Sequence, residues 1–372
     1  MFPEWTWIVG LMLGATIGSF LNVVIYRMPR GMSLSDPKNS FCPNCRHQLG
    51  VADLFPLFSW LFLRGKCRYC HTKVPFRYFA VELFTGSIWA GIWYQYFIAA
   101  ADPARAIAYA LAAAALVAII WIDWELYLIP DQINAFLAFV GIGYNIFLFV
   151  KHRPEAWTWG IPSALAGWIV GTLVLWGIAF LGRVLFGKDA MGHGDIKMAR
   201  GIGAVLFPAT AGISFALAVL LGAVLGIAQI VIQGRAKNEA AEGPDEEPYV
   251  PESIGSLLKA GLGYFLGIDI LGLFYVPLYE WWFAENPFAV PEDLETFEAG
   301  NTMIPFGPYL ALGAIIAAVF SQQLVQGVEN YLNWASGPKV SWLHLEHFTT
   351  RVGLVLWGDS WSSAYETCVH AY

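Results

Sequence analysis

The chain has 372 residues, of which 57% are hydrophobic and only 13% charged, with 17 Trp and 26 Phe. A soluble domain carries roughly 25% charged residues, so composition excludes a soluble enzyme and makes the lipid bilayer the first partner. The formal net charge of −7 says little about other partners because the charges are confined to loops, and nothing marks a nucleic-acid partner.

Trp5 to Tyr26 is free of charge and long enough to cross the ~30 Å of a bilayer's hydrocarbon. Glu4 stands where a signal peptide would have a basic region, and no small-residue cleavage site follows, so the segment reads as a retained helix. Gly10, Gly14 and Gly18 recur every fourth residue and would let a second helix approach closely. The next segment, 27–77, holds nine of the 21 Lys and Arg residues against two acids, Asp36 and Asp53, which places it in the cytoplasm. It also carries Cys42-Pro-Asn-Cys45 and Cys67-Arg-Tyr-Cys70, two knuckles that can supply four thiolates to one tetrahedral zinc. A reducing compartment argues against two disulfides, and so polar a loop needs folding free energy that metal binding can provide.

Apolar segments near 78–100, 106–122, 132–150 and 160–182 follow. Gly201 to Gly234 is charge-free but exceeds one span of ~20 residues, and Pro208 breaks it, giving segments near 196–208 and 209–233. Alternating from an external amino terminus, these put the Asp123–Asp131 and Arg183–Asp195 loops on the same, cytoplasmic side. Residues 235–252 are polar and Pro-containing and read as a flexible loop, and Ala284–Gly300 carries five acids and no base. Between them Leu257–Phe283 is apolar but holds Lys259, Asp269 and Pro277, which favours an interfacial or re-entrant course over a single crossing. Met303–Phe320 is a last span, and Ser321–Tyr372, with the lone Cys368, is a tail of ordinary polarity. The expected fold is an all-α polytopic membrane protein of about eight transmembrane helices with a cytoplasmic zinc-knuckle loop. Its expected parts are a first helix (1–26), the four-cysteine loop (27–77), a membrane core (78–234), an acidic insertion (235–302), a last helix (303–320) and a tail (321–372).

Two acids stand out. Asp123 closes a run of 17 apolar residues, and Asp195 follows Gly192-His193-Gly194. A carboxylate costs a few kcal/mol at membrane depth, roughly 2.5–3.5 on insertion scales, so such residues tend to be functional. Two of them together resist double ionisation and share a proton, which gives an acid and a base at one site. Gly192 and Gly194 would let a substrate strand lie against the turn. Lys197 either steadies a carboxylate or marks the membrane boundary. His193 reads as an exposed loop residue. Asp131, after Pro130, suits a helix start, where its removal would cost only ~0.3–1 kcal/mol.

These residues resemble the type IV prepilin peptidase family, the GxGD aspartic membrane proteases that act as leader peptidase and N-methyltransferase of type IV pilus and type II secretion systems. The resemblance is carried by Gly14-Ala-Thr-Ile-Gly-Ser-Phe-Leu-Asn-Val-Val-Ile-Tyr-Arg27, by Asp53-Leu-Phe-Pro and Arg64-Gly-Lys-Cys-Arg-Tyr-Cys70, and by Arg77-Tyr-Phe-Ala-Val-Glu82, where Phe79 replaces the usual proline. Pro305-Phe-Gly-Pro-Tyr-Leu-Ala-Leu-Gly313 is similar to the family's last helix. The resemblance implies that Asp123 and Asp195 are the catalytic pair. It further implies a multi-pass inner-membrane enzyme with a cytoplasm-facing site, which cuts the basic leader of prepilins or pseudopilins after glycine. S-adenosylmethionine would then methylate the new amino terminus. Glu82 either serves that methyl transfer or only pairs with Arg77. The rival readings are an ion or metal transporter with intramembrane aspartates, whose site would lie near the midplane, and an inactive pilus-assembly scaffold.

Overall fold

The structure is a computed structural model that describes residues 2–36, 39–189, 191–236, 252–290 and 305–336. Most of the acidic stretches and the tail with Cys368 lie outside the described residues. Helix α1 (Trp7–Arg27) leads into the 27–77 loop, whose one α-helix among the described residues is the short α2 (Phe58–Phe62). After the loop, α3 (Phe76–Ile92) packs along the glycine stripe of α1 and continues as a π-helical turn, Trp93–Ala99. A side chain at Gly10 would strike Trp93, one at Gly14 would strike Trp89 and Thr85, and one at Gly18 the backbone of Glu82. The stripe is therefore a packing seam.

Helix α4 (Pro103–Leu126) starts at Asp102, whose side chain accepts the Arg105 N–H at 3.2 Å, with proline in the first turn. Its alanines, Ala112 to Ala115 among them, are buried, and the small side chains let α1, α3, α5 (Asp131–Val150) and α11 (Gly307–Val319) close around it. The helix is closed by Tyr127 in the left-handed conformation (φ 52), which leaves Asp123 in the last turn. After α5, a two-strand hairpin (Trp157–Thr158 with Ile161–Pro162) leads to α6 (Ser163–Phe186).

The next helix, α7 (His193–Ala236), is broken at Phe207 (φ 63, ψ 168), where Pro208 removes a donor and disfavours a helical residue before it. Up to the break it lies on α5 and α6, with Gly141 against the backbone of Ala204 and Gly167 against that of Gly203. Beyond the break it lies on α11, with Gly313 against Ser214 and Ala218, and Gly222 facing Tyr309. Since 214 faces 313 and 222 faces 309, the second arm runs back toward the end of the bundle where α7 began. Backbone meets backbone at Gly167 and Gly203, so Gly203→Leu is expected to force α6 and α7 apart. Overpacking costs about 1–3 kcal/mol and sometimes more. A lower unfolding midpoint in detergent than wild type is the expected result, and an unchanged one would contradict the close approach.

The 252–290 segment forms a bent hairpin laid against α5, α6 and the first arm of α7. Helix α8 (Ile254–Leu266) runs antiparallel to α6: the Trp176 indole donates to Leu257 O and that of Trp168 to Phe265 O. After a 72° bend at Gly267 (φ 70) comes α9 (Ile268–Phe274), and α10 (Val276–Phe283) returns to the end where α8 started. Helix α12 (Ser321–Ser336) leaves α11 at 89°. This stretch belongs to the tail expected from sequence; Leu324, Val328 and Tyr331 recur there at helical spacing among polar residues, which forms one apolar stripe.

The fold is all-α and polytopic. Five helices are long and apolar enough to cross a membrane, or up to seven if each bent pair is one span. This differs from the expected count of about eight because α3 is only 17 residues long before the winding changes at Trp93, and because the two arms of α7, folded back on one another at Phe207, are taken together as one helix.

Candidate active site and cysteine cluster

Asp123, in the last turn of α4, and Asp195, in the first turn of α7, line one cleft of about 790 Å³ at one end of the bundle. Its other walls are the turn after α1 (Met28 to Leu34), the α4–α5 connection (Tyr127 to Gln132) and residues 285–290. Each carboxylate is almost fully buried and lies against a glycine, Gly307 for Asp123 and Gly192 for Asp195. The two are close enough for the charge of Asp123 to act on Asp195. Asp195 Oδ1 has no hydrogen-bond partner among the described residues.

The neighbouring residues divide differently from the sequence reading. Lys197 steadies a carboxylate, but that of Asp131: its Nζ lies 2.8 and 2.9 Å from the two oxygens. The Tyr279 hydroxyl donates to Asp131 Oδ2 at 2.5 Å and accepts from Lys197 at 2.9 Å. Asp131 does open α5, yet it is also half of a buried ion pair, whose rupture costs about 3–5 kcal/mol instead of the small amount expected of a helix-start acid. Gly192 is approached by the carboxylate of Asp195, and Gly194 by Ile129, where an added Cβ would stand 3.0 Å away. The close approach at Gly194 is thus made by the protein's own side chain. His193 is held on both ring nitrogens, by Glu252 at 2.9 Å and Tyr264 at 2.8 Å. Glu82 does not pair with Arg77, which bonds Glu125 at 2.5 Å. Glu82 instead accepts the N–H of Leu57 at 2.7 Å and so ties the 27–77 loop to α3.

Sequence reasoning missed Gly307, which a Cβ would drive into the Asp123 carboxylate, and the buried Arg200–Asp269 pair. A signal for the second was available, since Arg200 stands amid apolar residues and requires a counter-ion.

The four cysteines come together from two near-identical turns. Cys42 N–H donates to His47 O and Arg46 N–H to Cys42 O, and likewise Cys67 N–H to Thr72 O and His71 N–H to Cys67 O. Arg46 and His71 both adopt φ 58 to close these knuckles. All four thiols are free, and their sulfurs lie within 4.8 Å of one another, a cluster that could hold a metal ion. Bonds from Thr72 and Asn44 pull the Cys70 thiol down to about 5, which favours a thiolate there. Asp53 braces the second knuckle through Arg68 at 2.5 Å and Tyr69 at 3.1 Å. Desolvation alone would raise its carboxyl, but Arg68, the Gly50 N–H and Tyr69 together hold it below its ordinary value.

Comparison with known proteins bears on this arrangement. Residues 12–96 match the bacterial peptidase A24 N-terminal domain, and residues 110–227 the type IV leader peptidase family. Proteins named prepilin leader peptidase/N-methyltransferase are similar along most of their length. The one from Aeromonas hydrophila is 32% identical over 241 residues, 58% of this chain and 79% of the relative. That from Dichelobacter nodosus is 31% identical, covering 53% and 73%, and that from Neisseria gonorrhoeae 30%, covering 60% and 82%. No solved structure matches the chain. With both family segments present in order and the relatives covered over most of their length, the chain belongs to the type IV leader peptidase family, a membrane peptidase family whose curated members also carry the name of N-methyltransferase.

Proposed function

We propose that this protein is an aspartic endopeptidase of the inner membrane that removes the basic leader of prepilins or pseudopilins after glycine, with Asp123 and Asp195 as its catalytic pair. The observation that carries the reading is their placement: two buried carboxylates from different helices, in one cleft at the end of the bundle. One carboxylate, ionised, takes a proton from a water as that water attacks the scissile carbonyl carbon, and the other, protonated, donates to the carbonyl oxygen. The gem-diol then collapses with proton transfer to the leaving amine. The roles are those of the pair, which titrates as a unit. The excess of Lys and Arg in 27–77 supports a cytoplasmic cleft. A substrate helix can then stay in lipid while its leader reaches the aspartates. The position of the cleft at the bundle's end, away from its middle, favours this over a transporter.

The 27–77 loop is assigned a structural zinc. Four sulfurs around zinc at about 2.3 Å stand roughly 3.8 Å apart, and Cys42 and Cys70 stand at 3.8 Å. Cys42, Cys45, Cys67 and Cys70 would hold the ion, which would cross-link the two knuckles. Methylation of the new amino terminus from S-adenosylmethionine follows from the family relation, with the loop and Glu82 as its supports.

The test is incubation of the purified protein in lipid with a prepilin, with and without S-adenosylmethionine. Leader loss in both, with a methylated amino terminus only when the donor is present, is expected. An intact leader in both would overturn the peptidase reading. Gly307→Ala should lower cleavage about 100-fold, as displacement of a catalytic group by 1 Å can do, while the zinc content stays the same. Unaltered cleavage would remove Gly307 from the site.

A further inference from the structure

One face of the first arm of α7 carries three polar side chains that all reach one hairpin. His193, Lys197 and Arg200 stand at i, i+4 and i+7, on one side of the helix. Asp195 lies about 200° round from His193, on the opposite side. Each of the three reaches the hairpin α8–α10 or its entry. His193 bonds Glu252 and Tyr264, Lys197 bonds Tyr279, and Arg200 makes a two-pronged pair with Asp269, both contacts 2.6 Å. Arg200 Nη1 also donates to Tyr264 O at 2.9 Å, and the guanidinium lies over the Trp168 ring. Arg200 is 0% exposed and the Asp269 side chain 3%, so this charge pair sits in a dry interior where either partner alone would be untenable.

The three residues on α7 fall inside the segment matched to the leader peptidase family, residues 110–227, as do Asp131, which also pairs with Lys197, and Trp168 under Arg200, whereas the four partners in the hairpin and its entry fall outside both matched segments. We propose that the 252–283 hairpin is a clamp particular to this chain, which fixes the rotation and depth of the Asp195 helix against Asp123. Glu252, Tyr264, Asp269 and Tyr279 are thereby positioning residues for the cleavage reaction. The proposal rests on the assignment of Asp123 and Asp195 as the catalytic pair. Grip at three successive levels explains why a hairpin whose outer side is exposed and apolar, at Leu262, Leu266 and Phe274, buries Tyr264, Asp269 and Tyr279 on its inner side. It also gives the buried Arg200 its counter-ion.

The experiment compares Tyr264→Phe, which removes only a hydroxyl, and Asp269→Asn with the wild type in lipid. Lys259→Met serves as control, because Lys259 lies in the same hairpin and bonds Trp281 O within it. Prepilin cleavage should lose roughly ten- to a hundredfold in kcat in the first two variants, with KM within about twofold, as expected when a reacting group is misplaced. Hydrogen exchange at amides 196–206 should quicken while that of α4 is unchanged. Lys259→Met should match the wild type in both. Wild-type kcat in Tyr264→Phe and Asp269→Asn, an equal loss in Lys259→Met, or a rise in KM alone would overturn the clamp. Should Asp269→Asn fail to fold, Tyr264→Phe decides. Should the wild type leave the prepilin uncut, the peptidase reading fails and exchange alone judges the clamp, with unchanged protection at 196–206 overturning it.

Discussion

Asp123→Asn and Asp195→Asn are each expected to reduce leader cleavage by at least about 10³-fold, within the range that a positioned acid or base contributes. Asparagine keeps the shape and fits the same space against Gly307 or Gly192, so insertion, helix content and bound metal should match wild type. It cannot exchange a proton with water or carbonyl, and with one neutral amide the pair loses either its base or its shared proton. The measurement is single-turnover cleavage of a prepilin by purified variants in lipid. Near-wild-type cleavage by either variant would end the reading of the two as a catalytic pair.

The second large effect concerns the cysteines. Cys45→Ser removes one of four thiolates and should release the metal, because metal binding and the folding of so polar a loop are one event. The helices that carry Asp123 and Asp195 satisfy their own backbone bonds and stay formed without the loop. Elemental analysis should find about one zinc per wild-type chain and none in the variant. On one prepilin substrate, methylation should fall more than cleavage. Cleavage that fails while methylation of an already cleaved pilin persists would reverse the assignment of the loop. Metal-free wild-type protein that is folded and fully reduced would exclude the zinc.

Much of the site was legible because its chemistry is costly in an apolar chain. Asp123 and Asp195 interrupt or border runs of about membrane length, and the cysteines carry their ligand spacing within a single loop. Gly10, Gly14 and Gly18 disclosed the α1–α3 seam through their period, and Pro208 disclosed the break that the backbone makes one residue earlier, at Phe207. What stayed hidden depends on contacts far apart in the chain. Asp131 looked like an ordinary helix start because Tyr279, 148 residues on, is its second partner. Glu82 has Arg77 as its near neighbour in the chain, while its actual donor is a backbone N–H in the loop. Gly307 gave no signal of its own, since a glycine after Pro305-Phe306 reads as a helix entry until a carboxylate is seen against it. Local periodicity reports which face is buried, and says nothing of which distant group that face will meet.

In this mechanism two carboxylates activate one water and neither becomes covalently bound to the substrate. Cleavage in H₂¹⁸O tests it most directly, with the new carboxylate of the leader's terminal glycine and the side chains of Asp123 and Asp195 analysed by mass spectrometry after repeated turnovers. One ¹⁸O is expected in each released leader from the first turnover onward, with both aspartates unlabelled. An aspartate that acquires ¹⁸O, or a first-turnover leader without it, would show attack by the side chain itself and rule out direct attack by water.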